Sequence, residues 1–136
     1  MSKGEDKLFI ILRANQRRAP QIYKNLTREK IFKDLKYKGT PLRYDLYMEV
    51  RGVPYAWEFD GQQHFEYVKF FHKKRSTFKH MQENDRRKNR YAIKNKINLY
   101  RIPYTEIDSI NTIQDMVRPQ YKVKSIYHND NLKQSR

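Results

Sequence analysis

The sequence predicts a fold that combines α-helices with β-strands, and three observations predict it. Apolar and polar residues alternate through 41–64, which is typical of a β-hairpin. Segments 3–15 and 81–96 repeat similar side chains at spacings of three and four residues, which indicates helices. The short apolar run 97–102 is typical of a buried strand. At 136 residues, the chain is long enough for one domain with a modest core.

Ser2 is the predicted N-cap of the first helix, and Glu5 stands three residues later, as in a capping box. An apolar stripe follows at Leu8, Ile11 and Leu12. The pair Ala19-Pro20 ends the helix, because proline disfavours helical geometry in the residue before it. Glu5 therefore has a structural role available as a cap, apart from any role in a site.

Residues 21–39 have a weaker pattern, which leaves two interpretations open. The apolar residues of 21–26 could extend a helix, whereas 30–32 could form a short strand. Glu29 and Asp34 are the acids of this segment, and we expect both on the surface.

Arg51 and Gly52 form the predicted turn of the hairpin. In this register apolar residues pair across the strands, namely Val50 with Val53, Met48 with Tyr55, Leu46 with Trp57 and Tyr44 with Phe59. The same register sets the opposite face, because side chains alternate along a strand. It places Asp45 directly across from Glu58.

Asp45 and Glu58 would then have Cβ atoms about 4.5 to 5.5 Å apart, where like charges are destabilising unless another group offsets them. A divalent cation would offset them, since Mg²⁺ binds carboxylate oxygens and keeps several waters, one of which can become a nucleophile. A solvated acidic pair on an open sheet face is an equally good interpretation of the pair alone.

His64 ends a polar loop just past the second strand, close in sequence to Glu58 and Asp60. It could act as a general base, contact a phosphate or donate to a developing oxyanion, although a lone loop histidine is more often incidental. Residues 65–80 then mix aromatic side chains with Lys and Arg, a composition suited to phosphate contacts and base stacking. An ordinary packed segment with a basic exterior is the competing interpretation.

The helix predicted over 81–96 carries Asp85 and Lys88 three residues apart, so they are neighbours on one face. They could form a surface salt bridge or, if they face a site, position a metal-bound water. A last amphipathic helix is predicted over 107–117, where isoleucine and valine form a stripe.

The chain carries 30 Lys and Arg against 15 Asp and Glu, a net charge of +15. Such a surface favours a polyanionic partner, with nucleic acid first and an anionic membrane second. No long apolar run or basic amphipathic helix favours the membrane, so we expect none. We expect a domain over 1–117 and a basic tail over 118–136, either loosely ordered or in contact with DNA.

The absence of cysteine excludes a disulfide framework, a zinc ribbon and a thiol nucleophile, and it favours an intracellular location. The first residues, MSKGEDKLFIIL, have too short an apolar stretch for a signal peptide. With four glycines, the chain has no Walker-type or dinucleotide-binding loop.

Five pieces of the chain carry a resemblance to a known family. They are SKGE at 2–5, LRYDLY at 42–47, WEFDGQQHF at 57–65, the pair Asp85 and Lys88, and LYRI at 99–102. Together they resemble the PD-(D/E)XK, or restriction-endonuclease-like, nuclease superfamily. They look closest to the EDxHD phage and homing-type nucleases related to very-short-patch repair endonucleases. The element E-x-D-G-x-Q-H, after a strand that bears Asp, is the most specific part.

The resemblance implies an α/β fold, an α+β sandwich with a restriction-endonuclease-like core in which a central mixed β-sheet is flanked by helices. It also implies metal-dependent hydrolysis of phosphodiester bonds, with Mg²⁺ as the cofactor and Mn²⁺ as a substitute. Carried over by position, the catalytic residues are Glu5, Asp45, Glu58, His64, Asp85 and Lys88, and the metal ligands are Asp45, Glu58 and Glu5. One position departs, because Asp60 stands where the superfamily has a lysine. That role must fall to Lys88 or His64, or be absent.

We therefore expect a Mg²⁺-dependent endodeoxyribonuclease that acts on duplex or branched DNA, as a homing or nicking enzyme or a structure-specific one. The expected nucleic-acid contacts are Gln62, Gln63, Lys69, Lys73, Lys74, Arg75, Arg86 and Arg87. A cut through both strands by one active site would require a homodimer, and the sequence leaves the oligomeric state open. The resemblance is consistent with a virus- or phage-encoded protein in the cytoplasm or nucleoid of a host cell. The competing class is a basic nucleic-acid-binding protein without catalysis.

Overall fold

A computed structural model describes residues 2–64 and 75–130. The helices and strands are α1 (Lys3–Arg18), β1 (Tyr23–Tyr37), β2 (Thr40–Val50), β3 (Val53–Asp60), α2 (Arg75–Lys94), β4 (Asn98–Pro103) and α3 (Ile113–Met116). Short 3-10 helices cover Gln62–His64, Tyr104–Ser109 and Pro119–Tyr121. Three consecutive strands thus lie between α1 and α2 in the chain, and the fourth strand lies between α2 and α3.

The four strands form one mixed sheet in the order β1-β2-β3-β4. β2 runs antiparallel to both β1 and β3, and β4 runs parallel to β3. One face packs against α1 and α3 through a cluster that includes Leu8, Leu12 and Trp57, and the other face packs against α2 through Leu99 and Ala92. The predicted α+β class, a mixed sheet flanked by helices, is confirmed, while the restriction-endonuclease-like core stays a prediction.

The first helix begins where the sequence places its cap. The backbone N–H of Glu5 donates to Ser2 Oγ over 3.1 Å, and the helix ends at Arg18, before Ala19 and Pro20. The carboxylate of Glu5 accepts a hydrogen bond from Arg28 on β1. The cap at Ser2 therefore forms as predicted, and the Glu5 side chain is directed to the sheet.

Residues 21–39 form a strand that is much longer than the predicted one. β1 runs from Tyr23 to Tyr37, so the helical interpretation of 21–26 is wrong. Asn25 and Glu29 have φ angles of 58° and 51°, in the left-handed region, and the pairing with β2 shifts register twice. These irregularities disturb the alternation by which a strand is predicted. Glu29 and Asp34 are exposed, as expected.

The β2–β3 hairpin has the predicted register. Val50 pairs with Val53 and Leu46 with Trp57, and the turn residues Arg51 and Gly52 both have positive φ, as a two-residue hairpin turn requires. Tyr44 departs from the prediction that it shares a face with Phe59.

Tyr44 belongs to the cluster on the α2 side and donates its hydroxyl to the backbone oxygen of Lys88 over 2.7 Å. Phe59 packs against the cluster on the α1 side. The face changes because the β2–β3 ladder ends at Leu46, so the strict alternation does not extend to Tyr44.

In the second half of the chain one helix and one strand are confirmed, and one predicted helix is wrong. The helix predicted over 81–96 is α2, which begins earlier than predicted, at Arg75. β4 covers Asn98–Pro103, within one residue of the prediction. The predicted helix 107–117 is two pieces, because Thr112 starts a new helix with a capping box to Asp115. Ile110 and Ile113 of the predicted stripe are nevertheless buried.

Residues 118–130 pack on the body of the protein rather than forming a loosely ordered tail. Lys122 makes a β-bridge with Tyr100, and the N–H of Val123 donates to the backbone oxygen of Leu99 over 2.8 Å. The expectation of a loosely ordered tail is therefore wrong for 118–130, and 131–136 lie outside the described residues. Within the described ranges, no helix is long and apolar enough to cross a bilayer.

Candidate active site

The β2–β3 ladder ends where the two predicted acids begin. The N–H of Asp45 donates to Glu58 Oε2 over 2.6 Å, and the N–H of Phe59 donates to Asp45 Oδ2 over 2.8 Å. Side-chain carboxylates thus take the place of backbone carbonyls as acceptors. Asp45 and Glu58 are held side by side because each one bonds to the strand that carries the other.

Lys88 brings a positive charge to this pair from α2. Its Nζ donates to Glu58 Oε1 over 2.6 Å and to the backbone oxygen of Arg43 over 2.9 Å. Burial lowers the pKa of Lys88, but Glu58 and Asp85 raise it by more, so the ammonium group stays protonated. Of the two groups predicted to replace the superfamily lysine, Lys88 is the one that contacts Glu58.

Asp60, two residues after Glu58 at the end of β3, belongs to a buried ionic network. Its Oδ1 accepts from Arg101 Nη1 over 2.8 Å, and both side chains are fully buried. Arg101 Nη2 lies 3.5 Å from Asp85 Oδ1, and Arg101 Nε donates to Asn89 Oδ1 over 2.7 Å. Asp60 therefore partners a structural arginine, because a buried charge is tolerated only when another charge and hydrogen bonds compensate it.

His64 is held by the same network. Its Nδ1 lies 2.9 Å from Asp85 Oδ2 and 3.7 Å from Asp60 Oδ1. Burial lowers the pKa of His64, but the charge of Asp60 and the hydrogen bond and charge of Asp85 raise it to about 9. Arg101 and His64 in turn lower the pKa of Asp85, although burial opposes them. At neutral pH His64 is consequently an imidazolium, which donates hydrogen bonds and cannot accept a proton.

Asp45 is the carboxylate that the protein leaves least compensated. Burial and then the charge of Glu58 raise the pKa of Asp45 to about 8, whereas Lys88 and the N–H of Phe59 lower it by less. Four carboxylates and three cations make up the group, namely Asp45, Glu58, Asp60 and Asp85 with Lys88, Arg101 and His64. With all four carboxylates ionised the surplus would be one negative charge, and the raised pKa means that Asp45 holds a proton at neutral pH instead. Among the described residues, Asp45 has no ion-pair partner within 4.0 Å.

Glu5 lies at the rim of the same site. It lines a cavity of about 520 Å³ together with Asp45, Glu58, His64 and Lys88. Its Oε2 accepts from Arg28 Nη2 over 2.8 Å, and that nitrogen also bonds Asp6. Glu5 therefore has a cation of its own and is less available to a metal than Asp45.

The donor atoms present suit Mg²⁺ on a limited set of protein ligands. Over 2–64 and 75–130, no group of three or more His, Cys, Asp or Glu side chains could hold a metal ion. Mg²⁺, however, is commonly bound by one or two carboxylates, with waters and substrate phosphate completing its shell. Asp45 and Glu58 fit that pattern, and a bound cation would take the place of the proton that Asp45 otherwise holds at neutral pH.

The structure places the predicted nucleic-acid contacts unevenly. Gln62 and Arg75 are exposed, whereas Arg86 pairs with Asp130 and Arg87 with Glu83. The other predicted contacts, Lys69, Lys73, Lys74 and the side chain of Gln63, lie outside the described residues.

Three buried residues of the site, Arg101, Asn89 and Asn129, are not among those that the sequence predicts. Arg101 is the central cation of the network, and Asn129 donates to Asp60 Oδ2 over 3.0 Å. An arginine inside the apolar run 97–102 was a usable signal, because a charge in a buried strand needs a partner. Asn129 has no such signal, since it lies in a polar segment far along the chain.

Comparisons with known proteins do not assign a family. No family model matches the chain, and no solved structure matches it. The chain is 31% identical over 62 residues to Uncharacterized protein 307L of Invertebrate iridescent virus 6. That stretch covers 46% of this chain and 32% of the viral protein, so the chain spans about a third of the relative that it matches. What the fold and the site define is therefore a class: an α+β protein with a paired-carboxylate site and a buried ionic network.

Proposed function

We propose that the protein is a Mg²⁺-dependent DNA endonuclease of the PD-(D/E)XK kind. The single observation that carries the proposal is the pair Asp45 and Glu58 at the end of the β2–β3 ladder, with one carboxylate more than the local cations compensate. A site that holds an uncompensated acid beside an open cavity favours a bound cation.

Asp45 and Glu58 would hold the metal, with Glu5 at the rim. Bound there, Mg²⁺ would polarise the scissile phosphate and lower the pKa of a bound water. The ammonium group of Lys88 donates a hydrogen bond to Glu58 and so reduces the negative charge that an approaching phosphate would encounter. Glu58 is in this way oriented by α2 as well as by β2.

His64 acts as a phosphate anchor in this proposal rather than as a general base. Its imidazolium is held by Asp85 through Nδ1, which leaves Nε2 to donate to a phosphate or leaving oxygen. The carboxylate of Asp85 fixes the ring, in the manner of a residue that orients a catalytic histidine.

The net charge of +15 supports DNA as the substrate, because phosphate neutralisation supplies most non-specific affinity. The similarity to a protein of an iridescent virus supports an origin in a virus and, with it, action inside a host cell. Cleavage of both strands by this site would require a homodimer.

The test is cleavage of plasmid and branched DNA by the wild type and by Asp45→Ala, with Mg²⁺ or with EDTA. We expect the substitution and EDTA each to abolish cleavage while DNA binding stays nearly intact. Asp108→Ala is the control, because Asp108 is an exposed acid on the surface, and it should cut normally. Full cleavage by Asp45→Ala in Mg²⁺ would overturn the assignment.

One specific observation favours a second function, a nucleic-acid-binding protein without catalysis. Both oxygens of Glu58 already have protein partners, Lys88 and the N–H of Asp45, so that acid is satisfied without a metal. A protein of this class would shift DNA in a gel with or without Mg²⁺ and would leave it uncut. The same cleavage assay therefore separates the two functions.

A further inference from the structure

The segment 123–130, which we call the C-terminal strap, is fastened across β4 and α2. Asn89 Nδ2 donates to the backbone oxygen of Ile126 over 3.0 Å, and Arg86 pairs with Asp130 through both Nε and Nη2. The Arg86 guanidinium also lies over the ring of Tyr127, 5.5 Å from its centroid. Three contacts with α2 thus hold the strap directly over the buried network.

Asn129 reaches from the strap into that network. The residue is buried, and its Nδ2 donates to Asp60 Oδ2 over 3.0 Å and lies 3.4 Å from Asp85 Oδ2. Ionised carboxylates only accept hydrogen bonds, so the amide must face them with its nitrogen. The orientation of Asn129 is therefore set by the two acids.

The two aspartates are held at both oxygens. Arg101 approaches the Oδ1 atoms of Asp60 and Asp85, and Asn129 approaches their Oδ2 atoms. Asp85 Oδ2 is also the atom that holds His64 Nδ1, at 2.9 Å. Without Asn129, the Asp85 carboxylate would keep its contact with Arg101 but could turn its second oxygen away from His64.

We propose that the C-terminal strap is part of the active site and that Asn129 is a positioning residue, which holds the Asp85 carboxylate so that Asp85 keeps His64 aimed at the substrate phosphate. The claim that Asn129 affects catalysis through His64 rests on the proposed function. A neutral amide suits the position, because Lys88, Arg101 and His64 already supply the cations and a further positive charge would draw the acids away from them. His128 is a titratable group of the strap on which this network acts, since burial and then Arg101 lower the pKa of His128 and Asp60 raises it.

Two substitutions test the role of Asn129. Asn129→Ala removes the donor, and Asn129→Asp keeps the size but replaces the amide by a carboxyl. Asn95→Ala is the control, because Asn95 is an exposed asparagine that donates to the backbone oxygen of Tyr91 and forms no hydrogen bond with the described residues of the strap or with the two aspartates.

At neutral pH we expect the single-turnover cleavage rate to fall about 10- to 100-fold in both proteins, as is typical when a group that orients a catalytic residue is lost. The affinity for DNA and the KM should stay at the wild-type value, and Asn95→Ala should cut at the wild-type rate. The pH profile separates positioning from a general loss of structure. Asn129→Ala should lose the same factor at every pH, whereas Asn129→Asp should lose more as the pH rises, because its carboxyl can donate only while protonated.

NMR of the imidazole groups gives a result that does not depend on cleavage. In the wild type the Nδ1 proton of His64 should exchange slowly and the ring should titrate well above its usual range. Both features should be lost or weakened in Asn129→Ala and kept in the control. Should Asn129→Ala fail to fold, Asn129→Asp supplies the comparison by itself, since its carboxyl can donate at acid pH and cannot once it has ionised.

The failure of this inference is distinguishable from the failure of the proposed function. A wild type that never cuts DNA rejects the nuclease, while the His64 signals still decide whether Asn129 positions the histidine. A wild type that cuts, together with Asn129 variants of unchanged rate, pH profile and His64 signals, overturns the inference and leaves the nuclease intact.

Discussion

Replacing Asp45 by asparagine should make the metal-free protein more stable at neutral and alkaline pH. Asp45→Asn keeps an oxygen that can accept from the N–H of Phe59 but removes the charge that faces Glu58. Most substitutions of a half-buried residue destabilise a protein, so a gain in stability is a specific consequence of the surplus charge.

The magnitude follows from the spacing of the two carboxylates. Two unit charges about 5 Å apart repel by about 3 kcal/mol at an effective dielectric constant of about 20. Lys88 offsets part of this repulsion through Glu58, so we expect Asp45→Asn to gain about 1 to 2 kcal/mol near pH 8. For a chain of this length, that gain corresponds to a rise in Tm of about 3 to 8 °C.

The gain should depend on pH with a defined sign. The pKa of Asp45 is raised from 3.8 to about 8, so the folded protein holds a proton that the unfolded chain has already lost. The stability of the wild type therefore falls as the pH rises between these two values, and the asparagine variant lacks this loss. Below about pH 4, where the carboxyl holds a proton in both the folded and the unfolded chain, the two proteins should differ little.

The assay is thermal unfolding of the wild type, Asp45→Asn and the control Asp108→Asn, at several pH values and with or without Mg²⁺. Mg²⁺ should raise the Tm of the wild type. At a Mg²⁺ concentration 100 times the Kd, the free energy of unfolding should rise by about 2.7 kcal/mol. Mg²⁺ should have little effect on Asp45→Asn, and Asp108→Asn should behave as the wild type does. The reasoning is refuted if Asp45→Asn is less stable than the wild type near pH 8, or if Mg²⁺ raises the Tm of both proteins equally.

Three further substitutions probe the network and the packing behind it. His64→Gln should lose up to about 3 kcal/mol of stability at about pH 6, because the histidine pKa rises from 6.5 to about 9 on folding, and the difference should vanish above that range. Urea unfolding at about pH 6 and above about pH 9 measures this difference in stability. An equal loss at both pH values would contradict the raised pKa of His64. Arg101→Met should destabilise the protein by about 3 to 5 kcal/mol, because two buried aspartates lose their shared cation; denaturant unfolding with a loss under about 1 kcal/mol would argue against the network. Gly4→Ala should destabilise the protein by about 1 to 3 kcal/mol despite the better helix propensity of alanine, because the new Cβ would lie 2.3 Å from Phe59 Cζ. A second change, Phe59→Leu, should restore part of that stability in thermal unfolding.

Local patterns accounted for the parts of the fold that depend on neighbours in the chain. The cap at Ser2, the turn at Arg51 and Gly52 and the register of β2 with β3 were all predicted, because each depends on residues within a few positions. The same register predicts that Asp45 and Glu58 lie close together, and they do so just past the end of the ladder, where each carboxylate accepts from a backbone N–H of the opposite strand.

Two elements, β1 and the helix over 107–117, differ from the prediction because a local irregularity interrupts a periodic pattern. β1 was missed because its left-handed residues and register shifts interrupt the alternation, and its pairing with β2 compensates for them only in the folded sheet. The stripe of 107–117 predicted one helix, yet the capping box at Thr112 divides it. In both cases a local irregularity was stronger than the periodicity around it.

The hairpin, the two neighbouring acids and the strong positive charge follow from alternation and composition alone. How the acids are compensated follows from the folded chain, which brings Lys88 to Glu58, Arg101 to Asp60 and Asp85, and Asn129 from the far end of the chain. The physical reason is that the energy of a buried charge depends on which groups the folded chain brings within a few ångströms of it, and separation along the sequence carries no information about that distance.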